Sequence, residues 1–177
     1  MGAGKSAVGR ALSGALGSAF VDCDGLVTAV AGPIERLFAE RGEAGFRAVE
    51  RDVTVAAIKR ARTEPCVLAL GGGAVLSGDV REALRRLPHV AWLTAPADVL
   101  WARVVSAGLG TRPLARDEAA FRRLLEERAA FYESVATMAV VNDGNRPPAA
   151  VAAEIVCRMG APDDVVGVSS SQGEGTR

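Results

Sequence analysis

Gly4, Lys5 and Ser6 stand together near the start of the chain, in MGAGKSAVGR. They fill the last three places of G-x-x-x-x-G-K-[ST], a turn whose backbone N–H groups face phosphates, whose lysine reaches the outer phosphates and whose hydroxyl holds Mg²⁺. Counted back from Gly4, the first glycine of that pattern falls two residues before Met1. A short motif of this kind also arises by chance, so it has to be weighed with the other polar residues that parallel strands would carry to one edge.

Those residues are few. Asp22 and Asp24 alternate in V-D-C-D, so that two carboxylates flank one apolar position. Acids at strand ends commonly cap the following helix. The alternative reading is that one orders a hard cation through water, together with the Ser6 hydroxyl, while the other meets a substrate hydroxyl. Gly71, Gly72 and Gly73 follow the apolar run CVLAL, where they either end a strand or let backbone approach a ligand closely. Arg47 in GFRAVE, Arg112 beside Pro113 and Arg128 in EERAAF each read, taken alone, first as solvated surface charge, with an anion-binding fork as the alternative.

Composition narrows the classes available. The chain has 177 residues, enough for one domain with a substantial core and too few to suggest two. Lys+Arg and Asp+Glu are both 21, so there is no overall basic field for nucleic acid or an anionic membrane, and any anion site must be local. Cys23, Cys66 and Cys157 are odd in number and far apart, and His89 is the only histidine, which argues against disulfides and zinc and fits a reducing cytoplasm. No apolar run is long enough to span a membrane, and no leader pattern appears.

Short apolar runs alternate with stretches of helical period, as in a parallel sheet with crossover helices. Strands are expected at AFVD, CVLAL, HVAWLT and MAVVN. Helices are expected in KSAVGRALSGALG, GPIERLFAERG, EAGFRAVERDVTVAAIKRA, VREALRRL, ADVLWARVVSA, EAAFRRLLEERAAFYESV and PPAAVAAEIVCRM. GLGTRPLARD is glycine-rich and interrupted by Pro113, the pattern of a mobile loop. The domain is expected over 1–160, and 161–177, rich in Ser, Gly and charge, is expected to be a disordered tail.

Taken in order, GAGKS, V-D-C-D, GEAGFRAVE, LGGGAV, GTRPL, ERAAFY and NRPP resemble shikimate kinase, from Met1 to about Gly160. The resemblance implies an α/β, three-layer P-loop NTPase fold with a central parallel β-sheet flanked by helices and a mobile lid. The family's sheet has five strands, and four are expected here. It implies ATP as phosphoryl donor, Mg²⁺ as cofactor, and phosphorylation of the 3-hydroxyl of shikimate. The substrates would be small molecules; a monomer is expected because the sequence carries no heptad seam or large apolar stripe, and no nucleic-acid or membrane partner because its charge is balanced.

By the same resemblance, Gly2, Ala3, Gly4, Lys5, Ser6 and Ala7 would hold the ATP phosphates, and Ser6 and Asp22 would hold the metal. Asp24 would draw the proton from the attacking hydroxyl. Arg47 and Arg128 would grip the shikimate carboxylate, and Gly71, Gly72 and Gly73 would bring backbone N–H groups to the ring. Lys5 and Arg112, the latter on the lid, would stabilise the transferred phosphoryl group. The family's adenine-stacking arginine has no clear match, since Arg103 stands about two residues too far from Arg112; Arg146 in the NRPP turn is the expected adenine contact.

The strand before the loop would be central, and its absence would leave a gap between two strands. Such a strand buries several side chains at about 1.5–3 kcal/mol each. Met1 is accordingly expected to be internal to a longer loop of the form G-F-M-G-A-G-K-S, in a protein that starts about ten or more residues upstream. Two alternatives share Lys5 and Ser6: another small-molecule kinase such as a gluconate kinase, and a non-catalytic nucleotide-binding domain.

Overall fold

The computed structural model describes residues 2–107 and 117–160. The expected lid, with Arg112 and Pro113, and the expected tail lie outside the described residues.

Helix α1 (Lys5–Leu16) leaves the phosphate loop, and β1 (Ala19–Asp22) follows it. Then come α2 (Cys23–Ala31), α3 (Ile34–Ala61), β2 (Cys66–Ala69), a 3₁₀ turn at Ala74–Leu76 and α4 (Gly78–Leu84). The chain continues through β3 (Ala91–Thr94), α5 (Ala97–Ser106), α6 (Glu118–Glu133), β4 (Met138–Val141) and α7 (Pro148–Met159). The two helices expected between Pro33 and Ala61 run together as α3, with a kink where Gly42 leaves helical geometry at φ 65°.

Helix α2 was not legible as a period, because CDGLVTAVA is apolar almost all round. Its start is explained by capping: the Asp22 carboxylate accepts from the Asp24 backbone N–H at 3.1 Å.

The four expected strands are present and their pairings are parallel, but they do not form one sheet. β1 pairs with β2, β3 pairs with β4, and the two pairs are not joined by backbone hydrogen bonds. Ala3 and Ser6 reach the ends of both pairs, Ala3 through Asn142 and Ser6 through Asp22. The loop around them turns into left-handed conformations at Gly2 (φ 71°) and Gly4 (φ 78°), so it offers no extended ladder to bridge the gap.

Side chains bridge it instead. Val67 of β2 and Leu93 of β3 both pack on a cluster of Val8 and Leu12 from α1, Val140 from β4, and Val151, Ala152 and Ile155 from α7. The next residue along β2, Leu68, points to the opposite face, against Ile58 of α3, Ala74, Val75, and Val80 and Leu84 of α4. Trp92 of β3 likewise stacks on Tyr132 of α6. This alternation, with helices over both faces, is a three-layer α/β/α arrangement. Only Ala69 and Val140 among the strand residues are fully buried, less than a parallel sheet covered on both faces ordinarily achieves.

Candidate functional site

The phosphate end is built at the carboxyl end of β1 and the start of α1. Gly4 precedes α1 in the left-handed region and makes no side-chain cap, and the N-terminus of a helix is the end at which anions bind. A cavity of about 280 Å³ is lined here by Gly2, Gly4, Lys5, Ser6, Ala7, Asp22, Asp24, Ala69, Leu70, Arg103 and Ala107. The Ser6 hydroxyl donates to Asp22 Oδ2 at 2.8 Å. Asp22 therefore caps α2, as its place at a strand end suggests, and also meets the loop serine.

The second end forms around the turn after β2. A Cβ on Gly71 would lie 2.5 Å from Glu50 Oε1 and 2.7 Å from Asp24 Oδ1, and a Cβ on Gly73 would overlap the Arg47 guanidinium. Glycine here is a matter of space, since neither residue has a positive φ. From the other side, Arg128 Nη1 and the Tyr132 hydroxyl both donate to the Gly72 carbonyl, at 3.3 and 2.5 Å. Arg128 is buried, with 6% of its surface exposed. Two guanidinium groups, two carboxylates and three bare backbone units thus share one spot. Asp24 joins it to the phosphate cavity.

The electrostatics follow from this crowding. Burial pushes the Glu50 carboxyl above its ordinary range, and Asp24 adds to the rise, while the hydrogen bond and charge of Arg47 oppose it. Burial also raises the Tyr132 hydroxyl, so it remains a proton donor at neutral pH. The Cys23 thiol, buried and next to Asp24 and Asp22, is pushed up to about 12 and is no nucleophile.

Of the residues singled out in the sequence, Gly2, Gly4, Lys5, Ser6, Ala7, Asp22 and Asp24 meet in the cavity. Arg47, Gly71, Gly72, Gly73 and Arg128 meet around the glycine turn. Ala3 lies behind the loop, buried, with its carbonyl on Asn142. Arg146 is not in the cavity lining; its guanidinium is held by Glu154 Oε2 at 2.7 Å and the Val141 carbonyl at 2.6 Å. Arg103 lines the cavity in its place, despite its spacing from Arg112, and lies against the turn that carries Arg146, 2.8 Å from where a Cβ on Gly144 would sit.

Glu50, Tyr132 and Asn142 were missed. Glu50 stands three residues after Arg47, the spacing that pairs charges on one helix face, and that signal was available. A larger groove of about 540 Å³ between α3 and α4 is lined by Arg51, Asp52, Lys59, Asp79, Glu82 and Arg86 among others, but Arg51 there is already paired with Asp52 and Asp79.

A glycine-rich phosphate loop opening a helix, a carboxylate pair at the adjacent strand end and two arginines gathered at a glycine turn beside them fit a P-loop small-molecule kinase. The shikimate kinase family model matches residues 1–159, and the chain belongs to that family. The shikimate kinase of Symbiobacterium thermophilum is 42% identical over 163 residues, covering 90% of this chain and 91% of the relative. That of Salinispora arenicola is 42% identical over 165 residues, covering 90% and 93%. Among solved structures, the shikimate kinase of Acinetobacter baumannii in complex with shikimate superposes with a TM-score of 0.82 at 32% identity, covering 90% of this chain and 88% of that one. The Aquifex aeolicus enzyme gives 0.72 at 30% identity, covering 89% and 90%. Among the described residues no helix is long and apolar enough to cross a membrane.

Proposed function

We propose that this chain transfers the γ-phosphoryl group of ATP to the 3-hydroxyl of shikimate, giving shikimate 3-phosphate and ADP. The position of Asp24 carries this reading: it lines the cavity with Gly4, Lys5 and Ser6 and also abuts the glycine turn beside Arg47 and Glu50. A carboxylate between a triphosphate cradle and a carboxylate-binding pocket is placed to take the proton of a hydroxyl between them.

Each residue then has a task. The loop amides from Gly2 to Ala7 and Lys5 hold the phosphates, and Arg47 and Arg128 take the shikimate carboxylate, with the backbone of Gly71, Gly72 and Gly73 against the ring. Asp24 accepts the hydroxyl proton as O3 bonds to the γ-phosphorus and the bond to the β,γ-bridging oxygen breaks, releasing ADP. Lys5 and Arg112 balance charge on the moving phosphoryl group, and Arg103 with the turn bearing Arg146 lies at the adenine end. The Ser6 hydroxyl and Asp22 carboxylate, 2.8 Å apart, are the oxygen donors a small hard cation takes. They would hold Mg²⁺, Asp22 through water, and the ion would supply neutralising charge to the phosphates. Among the described residues no larger cluster of metal-type side chains competes with this pair. A cytoplasmic monomer accords with three scattered cysteines that fit a reducing compartment and with a sequence that carries no heptad seam.

A coupled assay with ATP, Mg²⁺ and either shikimate or gluconate tests the proposal. ADP release dependent on shikimate, with shikimate 3-phosphate as product, is expected. Turnover with gluconate alone, or ADP binding without phosphorylation of either acid, would overturn it.

A further inference from the structure

Asn142 follows β4 and is 8% exposed, yet it faces the phosphate loop. Its Nδ2 donates to the Ala3 carbonyl at 2.8 Å. Its own backbone is fixed at both ends, the N–H donating to Thr94 O at 2.7 Å and the carbonyl accepting from Arg103 Nη1 at 2.7 Å. The same Arg103 nitrogen donates to the Gly2 carbonyl at 3.2 Å.

In a planar trans peptide the C=O of one residue and the N–H of the next point in opposite directions. Drawing the Ala3 carbonyl onto Asn142 therefore turns the Gly4 N–H away from Asn142, and drawing the Gly2 carbonyl onto Arg103 does the same for the Ala3 N–H. Left-handed residues alternating with Ala3 make such a run of amides concave, which suits a phosphate. Gly4 alone would not hold this orientation, because glycine accepts either sign of φ and the Ala3–Gly4 peptide can turn over. Turned over, it would aim a carbonyl oxygen at the phosphates. The Asn142 amide also fills the space a Cβ on Gly4 would enter, 2.5 Å from Nδ2, so loop and asparagine fit each other.

We infer that Asn142 is a positioning residue for nucleotide binding, holding the Ala3–Gly4 peptide with its N–H toward the phosphates. This rests on the loop being the nucleotide site of the proposed kinase. Ser6 meets Asp22 of the first strand pair, and Ala3 meets Asn142 beyond the second. Asn142 thereby ties the loop to the pair that Ser6 does not reach.

Asn142→Asp keeps the shape and sets an oxygen against the Ala3 carbonyl; Asn142→Ala removes the contact. Each is expected to weaken ADP binding by calorimetry, and to raise the KM for ATP, by at least about tenfold, with the KM for shikimate changed less than about twofold. The ADP-induced shift of the Gly4 amide signal, expected in the unmodified chain, should disappear. ADP affinity within about twofold of the parent in either folded variant, or parallel losses of ATP and shikimate affinity, would overturn the inference. If neither variant folds, the Asn142 side-chain amide signals of the unmodified chain decide: they shift on adding ADP if the inference holds, and unshifted signals refute it. ADP binding that depends on Asn142, without shikimate phosphorylation, would instead refute only the substrate assignment. Loss of the asparagine effect with phosphorylation intact would refute only the role of Asn142.

Discussion

Arg47 and Glu50, one turn apart on α3, are joined Nη1 to Oε2 at 2.5 Å, and the acid is the deeper partner, its side chain 5% exposed against 23% for the guanidinium. Glu43 adds a longer contact of 3.3 Å on the other nitrogen. The arginine therefore meets Gly73 with its orientation set by carboxylates on its own helix.

This burial makes Glu50 a source of pH-dependent stability. Its folded-state pKa lies above the ordinary 4.5, mainly through desolvation and despite Arg47. Its stabilising contribution is thus full below 4.5 and lost as pH rises through the raised value. Glu50→Gln cannot ionise. Its melting temperature relative to the parent should rise from pH 4 toward pH 7, and a difference flat in pH would contradict the assignment. The KM for shikimate should also rise about threefold to tenfold, because Arg47 loses a charged hydrogen-bond partner.

Asp24→Asn keeps the size of the side chain and removes its basicity. Turnover should fall about 10²-fold or more, within the range for a positioned general base, while ADP affinity stays near the parent value. Steady-state kinetics paired with calorimetry separates the two effects. Turnover retained in the variant would leave Asp24 a binding role only.

The gathering of Asp24 and the glycine run near the phosphate loop was legible in the sequence because strand ends collect on one edge of a parallel sheet, whereas Arg47, inside α3, was given its place only by the family resemblance. The four strands and most of their helices were legible as apolar runs and 3.6-residue periods. Helix α2 escaped because it has no polar face to set a period. Asn142 and Tyr132 escaped because each acts across the fold, at sequence separations of 139 and 60 residues from the carbonyls they hold. The hold of Glu154 on Arg146 escaped because it is a tertiary contact with α7 that spacing in the loop does not reveal.

Gly73→Ala and Gly14→Ala should move in opposite directions. A methyl on Gly73 overlaps the Arg47 guanidinium, a flexible side-chain end, so the chain should fold with Arg47 displaced and bind shikimate at least about tenfold more weakly. A methyl on Gly14, inside α1 and exposed, meets nothing within 4 Å, and should stabilise the protein by about 0.5–1 kcal/mol with kinetics unchanged. Denaturant melts and KM values on both variants check this, and equal kinetic effects would mean that Gly73 has no special place at the site.

Arg128 combines burial with a hydrogen bond to Gly72, whose carbonyl it shares with Tyr132. If its remaining donors face the shikimate carboxylate, Arg128→Ala should raise the KM for shikimate about 10²-fold while leaving the KM for ATP within about twofold, since a charged, two-pronged contact is lost. Arg128→Lys should recover little, because an ammonium offers a point charge where the planar fork both grips an anion and reaches the Gly72 carbonyl. Tyr132→Phe supplies the comparison: it removes the other donor to the same carbonyl and no charge. A KM in Tyr132→Phe as high as in Arg128→Ala would mean that the glycine turn, held by both side chains, matters more than the arginine's charge. A high KM in Arg128→Ala alone would assign the charge to the substrate.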